Sequence, residues 1–222
     1  MQWQQFWDKQ AEAADVQQQV GRITRDGRAV AAEVIAEHIG QLLNLQATDH
    51  LLDVCCGNGA LTNLLASQVA FCSGVDLSPK QIALARKNYP DIDWHIASAR
   101  HLQLLSSSYD KINLYFSFQY FTSDAEALAV LRAVKAVLKP GGRVLLGDVP
   151  DAQRWWVYYE SWSARLRWLW HRFLGRDDMG RFWRQADLAR LAQKAGFRIV
   201  FLAEPPHLPF AWYRYDVLLE HT

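Results

Sequence analysis

Two carboxylates and two glycines at a fixed spacing carry the first chemical information in this sequence. The segment Leu51-Leu52-Asp53-Val54-Cys55-Cys56-Gly57-Asn58-Gly59-Ala60-Leu61-Thr62 runs from an apolar stretch through a glycine turn into a helical pattern. Glycines at such a place let a ligand approach the backbone, and the start of the following helix offers unpaired N–H groups. In Gly74-Val75-Asp76-Leu77-Ser78-Pro79 a second acid ends the next apolar stretch, 23 positions after Asp53. A carboxylate there can accept both hydroxyls of a ribose, so the pair describes recognition of a nucleotide-like ligand.

The remainder of that ligand is read from the neighbouring residues. A dinucleotide fingerprint wants a third glycine at position 62, and Thr62 stands there. Asp53, ahead of the glycines, would repel a pyrophosphate and suits a cofactor carrying a positive amino group. These two features favour S-adenosylmethionine (SAM) over NAD.

The elements that must hold these groups follow from periodicity. Residues 50–55, 71–77, 92–97, 111–117, 143–149, 197–203 and 212–219 read as strands. Helical spacing covers 29–45, 60–68, 80–88, 125–138 and 185–194. Ser78-Pro79 caps the third of these helices, and Lys139-Pro140-Gly141-Gly142 supplies a helix stop and tight turn. Gly196 closes the last helix. The alternation predicts an α/β fold, a Rossmann-like, doubly wound, seven-stranded and mostly parallel sheet. Its last strand is expected antiparallel, because the connection before it is short.

With 222 residues, half of them hydrophobic, the chain reads as one domain. Residues 1–25 form a lead segment, in which Trp3, Phe6, Trp7 and Val16 predict an amphipathic element on the body or over its mouth. Residues 27–149 form the cofactor-binding core, 151–184 a helical insertion, and 185–222 a C-terminal helix and strand pair. Six of the ten tryptophans fall in the insertion, at 155, 156, 162, 168, 170 and 183. The spacing of Trp155, Tyr159, Trp162, Leu166, Leu169 and Phe173 predicts core contacts of one helix, with some rings free to line an acceptor pocket. The arginine surplus of the same stretch reads as a solvated face, with an acidic acceptor or a membrane surface as the alternatives.

These motifs together resemble the class I SAM-dependent methyltransferase family, particularly its small-molecule branch. The resemblance covers residues 27–149 and, more loosely, 185–219. Leu52 to Gly59 looks like the family's first motif and Val75 to Ser78 like its second. Tyr109-Asp110-Lys111-Ile112 with Phe116-Ser117-Phe118-Gln119-Tyr120 looks like the fourth-strand motif, and Leu138 to Arg143 like the element before the fifth strand. By that resemblance Gly57 and Gly59 line the methionine part of SAM, Asn58 between them also binds the cofactor, Asp53 helps hold its amino group, and Asp76 takes the ribose hydroxyls. Leu77 packs on adenine, Ser98 and Ala99 lie at the adenine edge, and Phe116 offers its carbonyl near the methionine end. Two positions depart from the family pattern: Cys55 stands where a glycine is usual, and Ala97-Ser98-Ala99 replaces Gly-Asp-Ala.

The resemblance implies transfer of a methyl group to oxygen or nitrogen of a small-molecule acceptor, with Tyr120 and His101 as candidate bases. A SAM-binding partner subunit without turnover and an NAD-linked oxidoreductase are the alternatives. His38, His101, His171 and His207 read as surface or capping residues. Cys55, Cys56 and Cys72 lack metal-ligand spacing and read as reduced thiols, so no metal is expected. The 24 basic and 23 acidic residues give no global field for nucleic acid. No apolar stretch reaches membrane-spanning length, so a cytoplasmic, unanchored protein is expected.

Overall fold

The computed structural model describes residues 3–13, 22–105, 107–174 and 179–221. Part of the lead segment, including Val16, and the charged residues 176–178 of the insertion lie outside the described residues. The chain begins with helix α1 (Trp3–Ala13), followed by a small antiparallel hairpin of β1 (Arg22–Ile23) and β2 (Ala29–Val30). Helix α2 (Ala32–Leu43) therefore starts after Val30, and residues 29–30 belong to the hairpin that turns at Asp26-Gly27.

The core alternates as its sequence pattern requires. Its elements are β3 (His50–Val54), α3 (Ala60–Ala66), β4 (Phe71–Asp76), α4 (Pro79–Asn88), β5 (Asp93–Ile96), β6 (Tyr109–Tyr115), α5 (Asp124–Val137) and β7 (Leu138–Pro150). The insertion contributes α6 (Trp155–Tyr158) and α7 (Trp162–Phe173), and the chain closes with α8 (Gln185–Lys194), β8 (Phe197–Ala203) and β9 (Arg214–His221). Seven strands form one sheet in the order β5-β4-β3-β6-β7-β9-β8. All neighbours are parallel except β9, which runs antiparallel to both β7 and β8.

Local signals explain the element ends. The Ser78 hydroxyl accepts the Gln81 N–H at 3.2 Å with Pro79 beside it, which caps α4 as the Ser-Pro pair predicts. Between β6 and β7, Tyr109 pairs with Leu138 and Lys111 with Arg143. Lys139 to Gly142 bulge out between those two registers, and Lys139 Nζ donates to Asp110 Oδ2 at 2.8 Å.

Hydrophobic residues fill both faces of the sheet. One face carries Leu52, Val54, Ile112 and Leu114 against α5 and α8, and the other carries Leu51 and Leu145 against α2 and α3. The insertion departs from its expected form. A break at Tyr159 to Ser161 divides it into α6 and α7, and Trp162, Leu166, Leu169 and Phe173 are exposed instead of packed in a core. Trp183, at the far end of the insertion, is the fully buried member and pairs by a bridge with Asp151.

Candidate active site

The ends of β3, β4 and β6 open into a cavity of about 280 Å³. Its wall contains Asp53, Gly57 and Asn58 from the first motif, and Asp76 and Leu77 from the second. Ser98 and Ala99 come from the loop after β5, and Phe116 and Tyr120 from the turn after β6. The site residues expected from sequence thus converge on one cavity, with two exceptions.

Gly59 is the first exception. It caps α3 at φ +79°, and a Cβ there would run into the Trp94 ring, so its lack of a side chain serves packing and not ligand approach. Gly57, at φ +56°, faces open space and does line the cavity. His101 is the second exception. It is exposed and absent from the wall, where Ser98, Ala99 and Arg100 lie instead.

Asp53 is buried on β3, where its Oδ2 accepts the Thr62 hydroxyl at 2.5 Å and its Oδ1 accepts Asn113 Nδ2 at 2.8 Å. Burial raises its pKa to about 6, against the lowering effect of these two hydrogen bonds. Thr62 thus has a second meaning: the position that a dinucleotide site leaves to glycine is filled by a hydroxyl that positions the carboxylate. Asp76 accepts Gly57 N–H at 3.0 Å and Ser78 N–H at 2.8 Å, and burial also pushes its pKa up. Two backbone donors therefore fix its carboxylate at the cavity wall.

These residues fit SAM. A buried carboxylate held partly toward its neutral form gains from a cation placed beside it, and two carboxylates on one wall oppose a pyrophosphate. Gln81 Oε1, buried on the same wall, has no hydrogen-bond partner among the described residues and can accept from a bound molecule.

Backbone strain marks the same strand ends. Cys55 adopts φ +63°, so the cysteine that replaces the usual glycine takes a glycine-like conformation. Its N–H and that of Cys56 both bond to Val75 O, at 2.8 and 3.1 Å. Phe116 adopts φ +59°, and its carbonyl accepts Gln119 Nε2 at 2.9 Å. Burial raises the pKa of all three cysteines, which keeps them as thiols. No cluster able to hold a metal ion occurs among the described residues.

The roof of the cavity is α1 and not the insertion. Trp3, Gln4 and Trp7 line it, whereas no described residue of 151–184 does. Trp3 and Trp7 meet the Tyr120 ring at centroid distances of 4.4 and 5.5 Å. The helix is tied down where the Ser78 hydroxyl donates to Asp8 Oδ1 and Gln81 Nε2 donates to Trp7 O. The insertion acts from behind: Trp183 Nε1 donates to Phe118 O at 3.3 Å, and Arg181 N–H donates to Gln119 O at 2.8 Å, bracing the turn that carries Tyr120. Gln81 and Glu126 also line the wall and carry no local sequence signal for it, and Ser117 joins them from within the fourth-strand motif. Arg25 points elsewhere, pairing with Glu160 and lying over the Trp212 ring at 4.9 Å.

A buried charged network adjoins β7. Arg214 donates to Asp148 Oδ2 at 2.5 Å and to Asp148 O at 2.8 Å. Asp148 N–H donates to Asp216 Oδ1 at 2.9 Å, and Asp216 Oδ2 lies 2.7 Å from His38 Nε2. His38 is therefore a buried partner of a carboxylate and not a surface or capping residue. Glu204 lies close by, its pKa raised by burial and by Asp148 and Asp216.

Residues 51–142 match the family model of a methyltransferase domain. Over 152 residues the chain is 28% identical to an uncharacterized methyltransferase of Synechocystis, covering 68% of this chain and 67% of that one. Over 121 residues it is 31% identical to the ubiquinone/menaquinone biosynthesis C-methyltransferase UbiE of Rubrivivax gelatinosus, covering 53% of this chain and 47% of the relative. Among solved structures, the SAM-bound amino pentose methyltransferase CalS10 of Micromonospora echinaspora superposes with a TM-score of 0.64 at 16% identity. That match covers 96% of this chain and 94% of the other, and at this identity it shows a shared fold.

Proposed function

Since the chain belongs to the class I SAM-dependent methyltransferases, we propose that it methylates a small, ring-bearing acceptor held beneath α1 against Trp3, Trp7 and Tyr120. The observation that carries this reading is the aromatic roof. Three rings meet over a wall that otherwise bears the expected cofactor residues, and flat aromatic faces select flat, apolar partners.

Bound SAM supplies a methyl group activated by its sulfonium. Asp76 would accept the ribose hydroxyls and Asp53 would face the amino group. Leu77, Ser98 and Ala99 would border the adenine, and Gly57, Asn58 and Phe116 the methionine end. Alignment and exclusion of water are the main tasks left to the protein, and α1 performs both by closing the cavity.

For an oxygen or nitrogen acceptor, Tyr120 and the Glu126 carboxylate are the wall groups not assigned to SAM that would take up a proton, and Tyr120 is the one beneath the roof rings. A ring carbon is the second reading, favoured by the relative named for C-methyl transfer in quinone biosynthesis. Tyr120→Phe distinguishes them when methyl transfer to a panel of phenols, aromatic amines and quinols is followed. A base predicts a fall in kcat of about 100-fold with an unchanged KM. Loss of neither kcat nor KM, in Phe and Ala variants alike, removes Tyr120 from the reaction and the roof from acceptor binding.

A further inference from the structure

Helix α7 presents to solvent a face that the methyltransferase site does not use. Trp162, Leu166, Leu169, Trp170 and Phe173 fall on one stripe of about 100° at 3.6 residues per turn, and their exposure ranges from 54% to 82%. Trp156 of α6 extends the patch, because the Arg165 guanidinium lies over both rings, 4.3 Å from Trp156 and 5.2 Å from Trp162. Trp168 lies on the opposite side and packs on Trp155 at 5.0 Å. The helix thus packs on α6 by one face and is exposed on the other.

Within α7 itself the charge is of one sign. Helix α7 contains three arginines and a histidine in twelve residues and no acid. The nearest acid before it, Glu160, is already paired with Arg25. Arg165 and Arg167 fall on opposite flanks of the apolar stripe. At twelve residues the helix is about 18 Å long, too short to span a bilayer but suited to lie in its interface. No described helix is long and apolar enough to cross a membrane.

We propose that α7 docks the protein onto an anionic lipid surface, with Trp162, Leu166, Trp170 and Phe173 entering the headgroup boundary and the flanking arginines meeting lipid phosphates. Indole rings suit that boundary because one end is apolar and the N–H can stay wet. A second copy of the chain is the poorer occupant, since apposing two α7 faces would bring two acid-free arginine helices together. The proposal stands whatever the methyl acceptor is.

Co-sedimentation of the full chain with phosphatidylcholine vesicles, with and without phosphatidylglycerol, tests it. The protein should pellet with the anionic vesicles and be released by added salt. Leu166→Glu and Phe173→Glu should each lower partitioning at least tenfold, and Arg167→Gln about fivefold. Unchanged SAM affinity in these variants, measured by calorimetry, shows that the fold and the cofactor site are intact. The proposal is overturned if the wild-type chain stays in solution with anionic vesicles, or if Phe173→Glu pellets as well as the wild type. It is also overturned if light scattering shows a dimer that Phe173→Glu dissolves while vesicles bind nothing, which would assign the face to a second copy.

Discussion

Replacing Asp53 with Asn should stabilise the ligand-free protein near neutral pH and weaken SAM binding at the same time. The Asp53 carboxyl has its pKa raised from 3.8 to about 6 by burial. The unfolded chain therefore ionises at Asp53 between pH 3.8 and 6 while the folded chain does not, and stability falls as pH rises through that window. Two pKa units at 1.36 kcal/mol each give a cost of about 3 kcal/mol, fully expressed above pH 7. Asn removes the charge but disturbs one of the two hydrogen bonds from Thr62 and Asn113, a loss of about 1 kcal/mol. The net gain of about 2 kcal/mol corresponds to a Tm higher by about 4–8 °C at pH 8 in a domain of this size.

At pH 4 that gain should vanish, leaving only the hydrogen-bond deficit. SAM affinity moves the other way, because the variant loses a charge-assisted contact worth about 1.5–3 kcal/mol, a factor of about 10–100 in Kd. Thermal melts at pH 4 and pH 8 and calorimetric titration with SAM read both effects. A variant that melts below the wild type at pH 8, or that binds SAM equally well, would refute the view of Asp53 as a strained carboxylate awaiting a cation.

The glycines of the first motif should separate stability from binding. Gly59→Ala combines left-handed strain with collision against Trp94 and should cost about 2–4 kcal/mol in urea denaturation. Gly57→Ala meets no atom and should cost about 1 kcal/mol in stability while reducing SAM affinity more than tenfold, read by calorimetry. Arg214→Met leaves Asp148 buried without its cation and should destabilise by about 3–5 kcal/mol, with part recovered in the Arg214→Met/Asp148→Asn double variant.

Much of the site is legible in the sequence because its signals are local. A strand followed by Gly-Asn-Gly, an acid closing the next strand and a Ser-Pro cap each depend on neighbouring residues, and β3, α3, β4 and α4 lie where those signals put them. Periodicity also identified the residues that share a face of α7, but it cannot say what that face meets, so an exposed stripe read as core. The β1–β2 hairpin has two-residue strands, too short for any alternation to register. His38 and Asp216 are 178 positions apart, and nothing near either residue announces the other.

The strained residues explain why the remainder could not be read. Cys55, Phe116 and Asp148 take positive φ at the ends of β3 and β6 and late in β7, at about 1–2 kcal/mol each, without a glycine to mark the place. What holds them is distant in sequence. Cys55 hangs from Val75 on β4, Phe116 from Gly147 on β7, and Asp148 from Arg214 and Asp216 on β9. Each bend is thus stabilised by the neighbouring strand, and those at Cys55 and Phe116 lie in the cavity wall, whereas Asp148 stands behind it. The cofactor motifs name the residues of that wall, whereas the sheet order β4-β3-β6 places them side by side. Loosening β9 through the Arg214 network should therefore reach the wall near Phe116 by way of Asp148 and Gly147, although Arg214 itself does not line the cavity.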